Sequence, residues 1–196
     1  MMVLAHERPP EPGLLADRAA ALRGALPVLK TDRLRLDVPD LNDFPAWAEI
    51  LCSPRARYMD GPYSRAEAYA EFAAMLGTWM LHGHGVFALR LGESGMAVGF
   101  VCLNIEPDDQ EPELGFFLIE AAESRGLAAE AAAAVRNWAH GQGMASLVSY
   151  IDPDNHRSMR LATRLGAVRD PVAEAAFAET PDAGVAVYRH WGVSRA

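Results

Sequence analysis

Twice in this chain an apolar, strand-like run stops and a helical pattern begins within a few residues: 113–119 leads into 126–140, and 146–151 leads into 154–165. Strands that feed helices in this way belong to an α/β sheet, and two such units open a crevice at the carboxyl edge of their strands. The remaining pattern fits around them. Residues 33–38 alternate polar and apolar, as a half-buried strand does. Asp40 is placed to cap a helix running to about Leu51, and Pro54 suits its end. Ser64-Arg65-Ala66-Glu67 has the spacing of a capping box. Ala68, Phe72, Met75, Leu76, Trp79 and Met80 then follow at helical spacing, until Gly83 and Gly85 break the pattern. Strands are expected at 86–91 and 96–105, joined by a turn at Glu93-Ser94-Gly95, and again near 167–170 and 184–191. Two meanders of consecutive strands beside the strand–helix units make the sheet mixed.

A chain of 196 residues suits one domain, and no run approaches the roughly 20 apolar residues of a membrane span. Residues 1–27 read as a leader: Pro9, Pro10, Pro12 and Gly13 make a loose stretch, and the Leu- and Ala-rich 14–25 form a short helix that packs on the domain or on a second subunit. The domain itself is expected over 28–196. The first residues lack the charged and apolar regions of a signal peptide, so a cytoplasmic protein is the expectation. A net charge of −8 argues against nonspecific nucleic-acid binding. Arg125, Arg136, Arg157, Arg160 and Arg164 nevertheless cluster in sequence, where an anion could be received. Cys52 and Cys102 have no metal or redox spacing and read as small buried apolar residues rather than reactive thiols. His82 and His84 are two apart, and no cluster of His, Cys and carboxylate suggests a metal.

The informative segments are the two strand–helix junctions. In the first, a helix opens at Gly126, where the free backbone amides and positive dipole of a helix start can receive phosphate. Gly126 and Ala128 leave room for a ligand, and Arg125 offers a guanidinium fork. An ordinary strand-to-helix turn is the plainer reading of these residues alone. In the second, Asn155 and Ser158 stand three apart at a helix start, either facing the crevice together or serving only as a cap and an exposed polar group.

Together the junctions resemble the GNAT superfamily of N-acetyltransferases, within it the branch of ribosomal-protein N-terminal acetyltransferases and related small-molecule-modifying enzymes. The phosphate-loop frame, Gln or Arg, two residues, Gly, any residue, then Gly or Ala, falls on Glu123-Ser124-Arg125-Gly126-Leu127-Ala128. The frame Asp-Pro-x-Asn-x-x-Ser with a later Leu-Gly matches Asp152, Pro153, Asn155, Ser158, Leu165 and Gly166, and the opening Thr-x-Arg-Leu-x-Leu matches Thr31 to Leu36. The resemblance spans about residues 30 to 190. It implies a mixed, mostly antiparallel central sheet whose fourth and fifth strands splay apart, flanked by helices. Glu123 departs from the usual Gln or Arg, and is expected to face solvent rather than press on a diphosphate.

The same resemblance implies acetyl-CoA as acyl donor, no metal, and direct attack by a primary amine of a peptide or small molecule. Phe117, Leu118 and Ile119 inherit the backbone contacts to the pantetheine arm. Arg125, Gly126, Leu127, Ala128 and Asn155 inherit cofactor binding. Glu113 is the candidate base, or else merely pairs with an arginine, and Ser158 is the candidate partner of the leaving thiolate. Tyr58, Asp60, Tyr63, Glu174 and Glu179 flank the expected acceptor pocket, where they suit a cationic amine or simply pack in loops. No nucleic acid or membrane is expected as partner, and the protein is expected to be a monomer or homodimer. The alternative is a non-catalytic acyl-CoA-binding or sensor protein with the same fold.

Overall fold

The computed structural model describes residues 4–92, 95–107, 109–180 and 183–193. Among these residues eight strands form one sheet: β1 (Leu29–Lys30), β2 (Leu34–Asp37), β3 (Val86–Leu91), β4 (Ala97–Asn104), β5 (Glu113–Leu118), β6 (Leu147–Ile151), β7 (Val168–Arg169) and β8 (Ala186–Trp191). Their spatial order is β1-β2-β3-β4-β5-β6-β8-β7, and every pairing is antiparallel except β5 with β6. The helices are α1 (Leu14–Gly24), α2 (Phe44–Leu51), α3 (Arg65–His82), α4 (Leu127–Gly141), α5 (His156–Arg164) and the short α6 (Pro171–Ala175). Of the turn expected at Glu93-Ser94-Gly95, Glu93 and Ser94 lie outside the described residues.

Alternation along the central strands separates two cores. Phe87, Leu89, Val101 and Leu103 face the side covered by α4, while Val86, Ala88, Phe100 and Cys102 face α2 and α3. On the first side α4 packs through Leu127, Ala131, Ala132, Val135 and Ala139, and the alanines let its backbone approach the sheet closely. On the second, Phe44, Trp47 and Phe72 make edge-to-face contacts, and Trp47 reaches Phe100 and Phe117 at 5.0 Å each. The capping box at Ser64 and Glu67 forms, and Gly83 closes α3 with φ 73°. Within α3, Ala68, Phe72 and Trp79 are buried, but Met80 is exposed.

Two expectations are corrected here. Helix α2 starts at Phe44, not after Asp40, whose carboxylate instead accepts from the Asn42 amide at 2.8 Å. Pro45 at the start of that helix needs no amide partner, and the buried Asp43 carboxylate is taken by Arg90, which also binds Asp37. The leader, in turn, is tied down: Glu7 is buried and accepts two bonds from Arg65 at 2.6 and 2.9 Å. Helix α1 buries none of its residues against the domain.

Candidate active site

Strand β5 determines the site. It pairs with β4 along its whole length, yet with β6 only at Glu113 opposite Val148. Beyond that point the two strands part, and a cavity of about 1220 Å³ opens between them. Ser149 ties the base of the fork by donating to the Leu114 carbonyl at 2.7 Å. With that proton committed, His190 Nε2, 3.2 Å from the Ser149 hydroxyl, must be the donor of the pair. Burial, and then Arg136, push the His190 pKa down to about 4, so the ring is neutral.

Period-two geometry decides which backbone groups of β5 are free. Leu114 turns its carbonyl toward Ser149 and Leu118 turns its carbonyl toward Arg55, at 3.3 Å, so Phe116 between them faces the same open edge. The Ile119 N–H faces the other way and donates to Val98 at 3.1 Å. Of the three residues expected to offer backbone groups, Leu118 shares the open edge with its carbonyl held by Arg55, while Phe117 and Ile119 direct theirs at β4. Phe117 still lines the cavity, against Trp47, whereas Ile119 does not. Phe116 is the residue missed, and only strand parity could have found it.

At one end of the cavity Gly126, Leu127 and Ala128 form the start of α4. Gly126 has φ 77°, and Ser124 before it has φ 59°, so the loop rises through two left-handed residues into a helix that no side chain caps. Arg125 is exposed and does not line the cavity; its carbonyl accepts from Arg33 at 2.8 Å. Thr31 and Arg33 both bind Glu130 in the first turn of α4, at 2.5 and 2.6 Å. The N-terminal sequence frame thereby holds the phosphate-loop frame in place. Burial works against the charge on Glu130, but Thr31 and Arg33 outweigh it and keep the carboxyl below its ordinary range.

The opposite wall is the start of α5. The Asn155 side chain accepts from the Ser158 amide at 3.2 Å, so its carbonyl caps the helix, and both residues line the cavity. Arg157, Arg160 and Arg164 line it as well. Glu123 does not face solvent: it is half-buried, bound to Arg55, and accepts from Arg157 at 2.6 Å. Burial raises its pKa, but Arg157 and Arg55 prevail and hold the carboxyl below the usual carboxylate range. The expectation failed because Arg55 is 68 residues away in sequence, outside any local pattern.

The far end is acidic. Glu113, Glu106, Asp109, Glu71 and Asp60 line it with Tyr58, Tyr63 and Phe177. Glu113 does not pair with arginine; one oxygen accepts from the Tyr150 amide at 3.2 Å. Burial, aided by Asp109 and Glu106, lifts its pKa to about 8. Glu174 is instead bound to Arg169, and neither it nor Glu179 lines the cavity. His82 and His84 stack at 5.6 Å, and among the described residues no group of His, Cys, Asp and Glu could hold a metal ion. Cys52 is exposed, against expectation, while Cys102 is buried on β4.

The sheet thus forks at β5 and β6, with an uncapped, glycine-led helix start and a group of carboxylates both lining the opening. Comparisons with known proteins identify the fold. The acetyltransferase (GNAT) domain matches residues 33–168, and the chain belongs to that family. An acetyltransferase from Agrobacterium tumefaciens is 38% identical, with a TM-score of 0.78 over 85% of this chain and 95% of that one. A GNAT-family acetyltransferase from Bordetella pertussis is 25% identical, TM-score 0.65, over 83% and 98%. A ribosomal α-N-protein acetyltransferase in complex with coenzyme A shares the fold, with 18% identity and a TM-score of 0.66 over 83% and 97%. No helix among the described residues is long and apolar enough to cross a membrane.

Proposed function

We propose that this protein transfers the acetyl group of acetyl-CoA to a primary amine by direct attack within the forked cavity. The observation that carries this reading is the fork itself: it leaves the Phe116 edge of β5 without a β6 partner between an arginine-rich end and a carboxylate-rich end. Acetyl-CoA fits that division. Its phosphates suit the α4 start and the guanidinium groups of Arg55, Arg157, Arg160 and Arg164, and Asn155 keeps an amide nitrogen for the pantetheine arm. Arg125 remains outside the wall and contributes charge only at the loop exterior.

Glu113 is the base in this reading. A carboxylate takes a proton from the ammonium, the freed amine nitrogen bonds to the thioester carbon, the C–S bond breaks, and the sulfur is left as thiolate. Donors along the Phe116 edge polarise the carbonyl oxygen, and the Ser158 hydroxyl hydrogen-bonds the thiolate as it departs. Its pKa of about 8 places the acidic limb of turnover near pH 8, where the carboxylate form appears. Coenzyme A release assayed against a panel of peptides, amino acids and oligoamines tests the reading. Amine-dependent release, with an acidic limb near pH 8 that Glu113→Gln removes, is expected. Tight acetyl-CoA binding without release to any amine would leave a non-catalytic acyl-CoA-binding protein.

A further inference from the structure

The acceptor end of the cavity has an unusual charge inventory. Five carboxylates reach it from four elements: Asp60 from the loop before α3, Glu71 from α3 itself, Glu106 and Asp109 from the β4–β5 loop, and Glu113 from β5. Among the described residues none of Asp60, Glu71, Glu106 or Glu113 forms a salt bridge, and the chain's sole lysine, Lys30, lies on β1 at the far edge of the sheet. Elsewhere in the same molecule buried acids are matched with care, as Glu111 and Asp170 are by Arg189, and Asp37 and Asp43 by Arg90.

The array is held, not loose. Tyr150 fixes the β4–β5 loop by accepting from the Gln110 and Glu111 amides, and Asn104, itself buried, donates to Glu106 at 3.0 Å. Exposure is graded: Asp60 and Glu106 are exposed, while Glu71, Asp109 and Glu113 are half-buried toward the fork. Glu113 uses one oxygen on Tyr150 and has no partner for the other among the described residues. The acids disturb one another. Burial, Asp109, Glu71 and Asp60 lift Glu106 to about 7, burial and Asp60 raise Glu71, and burial with Asp60, Glu71 and Glu106 takes Tyr63 to about 12. Like charges kept this close destabilise the empty site, and a bound cation relieves them.

We infer that the acceptor is a small aliphatic oligoamine with at least two ammonium groups: one delivered to Glu113 at the fork, the others held by Glu71, Asp109, Glu106 and Asp60. This rests on the transferase reading, since the amine at Glu113 is the one acetylated. Tyr58 and Tyr63 line the cavity with these carboxylates and supply aromatic surface for the cationic chain. A monoamine of equal length engages the fork alone and leaves Glu71, Glu106 and Asp60 without a cation.

The test compares butylamine, 1,4-diaminobutane and spermidine as acceptors in coenzyme A release, at low salt and at about 0.5 M sodium chloride. The diamine and spermidine are expected to exceed the monoamine in kcat/KM by about tenfold or more at low salt, with the gap shrinking at high salt. Glu71→Gln and Glu106→Gln are each expected to collapse that ratio toward unity through KM rather than kcat. Calorimetric binding of the same amines to the protein with coenzyme A reads the acceptor site without turnover. Selective oligoamine binding with no coenzyme A release supports the acid site and sinks the transferase reading. Release with equal kcat/KM for monoamine and oligoamine, or variants that leave the ratio intact, upholds the transferase and overturns the oligoamine proposal.

Discussion

Glu113→Gln separates the demands of stability from those of the site. In the unfolded chain this carboxyl has its ordinary value of 4.5, whereas burial, Asp109 and Glu106 lift it to about 8 in the fold. Because the folded value is the higher, the folded protein keeps a proton that the unfolded chain releases, and stability falls as pH rises from 4.5 to 8. The penalty is absent below that window and complete above it. At pH 7 the proton has been forced across about 2.5 pH units, worth about 3 kcal/mol at 1.4 kcal/mol per unit. Water in the open cavity screens the charge and brings this to about 1–2 kcal/mol. Glutamine stays neutral and keeps the acceptor oxygen that the Tyr150 amide uses. The variant should therefore melt about 3–6 °C above the parent at pH 7, with a wider gap at pH 8 and almost none at pH 5. Thermal unfolding by circular dichroism at the three pH values reads this directly. Equal melting points at pH 8, or an advantage of the same size at pH 5, would refute the reasoning.

Other outcomes follow from the donor end and the far wall. Gly126→Glu should abolish acetyl-CoA binding in calorimetry, because φ 77° resists a side chain and the new carboxylate enters the phosphate loop; unchanged affinity in a folded variant would remove that loop from the site. Glu123→Gln frees Arg55 and Arg157 from their shared carboxylate and should tighten acetyl-CoA binding about three- to tenfold. A loss of affinity there would mean that Glu123 orders the two arginines for the ligand. Ser158→Ala should lower kcat with acetyl-CoA affinity nearly intact, as a group that acts on the leaving thiolate requires; a loss confined to affinity would make Ser158 part of the binding wall.

The readable parts of this protein were those whose cause is local. The Ser64 capping box, the glycine at the start of α4 and the strand runs of β3 and β4 are set by neighbours a few residues apart, and the structure forms all three. Both strand–helix junctions were legible for the same reason, and with them the position of the fork. The errors came from long-range partners. Asp40 has the right residue type for a cap, but Arg90 captures Asp43 and the helix begins three residues later than expected, at Phe44. Glu123 reads as a surface acid until Arg55 and Arg157 are brought to it from two other segments. The acid array is the extreme case, since Asp60, Glu71 and Glu106 come together only when the helices close over β4 and β5.

Two-substrate initial-rate kinetics test direct transfer within one cavity most directly, with acetyl-CoA and spermidine varied together. Because the arginine-lined and carboxylate-lined ends belong to the same open space, donor and acceptor must occupy it at once. Double-reciprocal plots should therefore intersect, and coenzyme A should appear only when amine is present. Parallel lines, or a burst of coenzyme A before any amine is added, would show an acyl-enzyme and contradict direct attack.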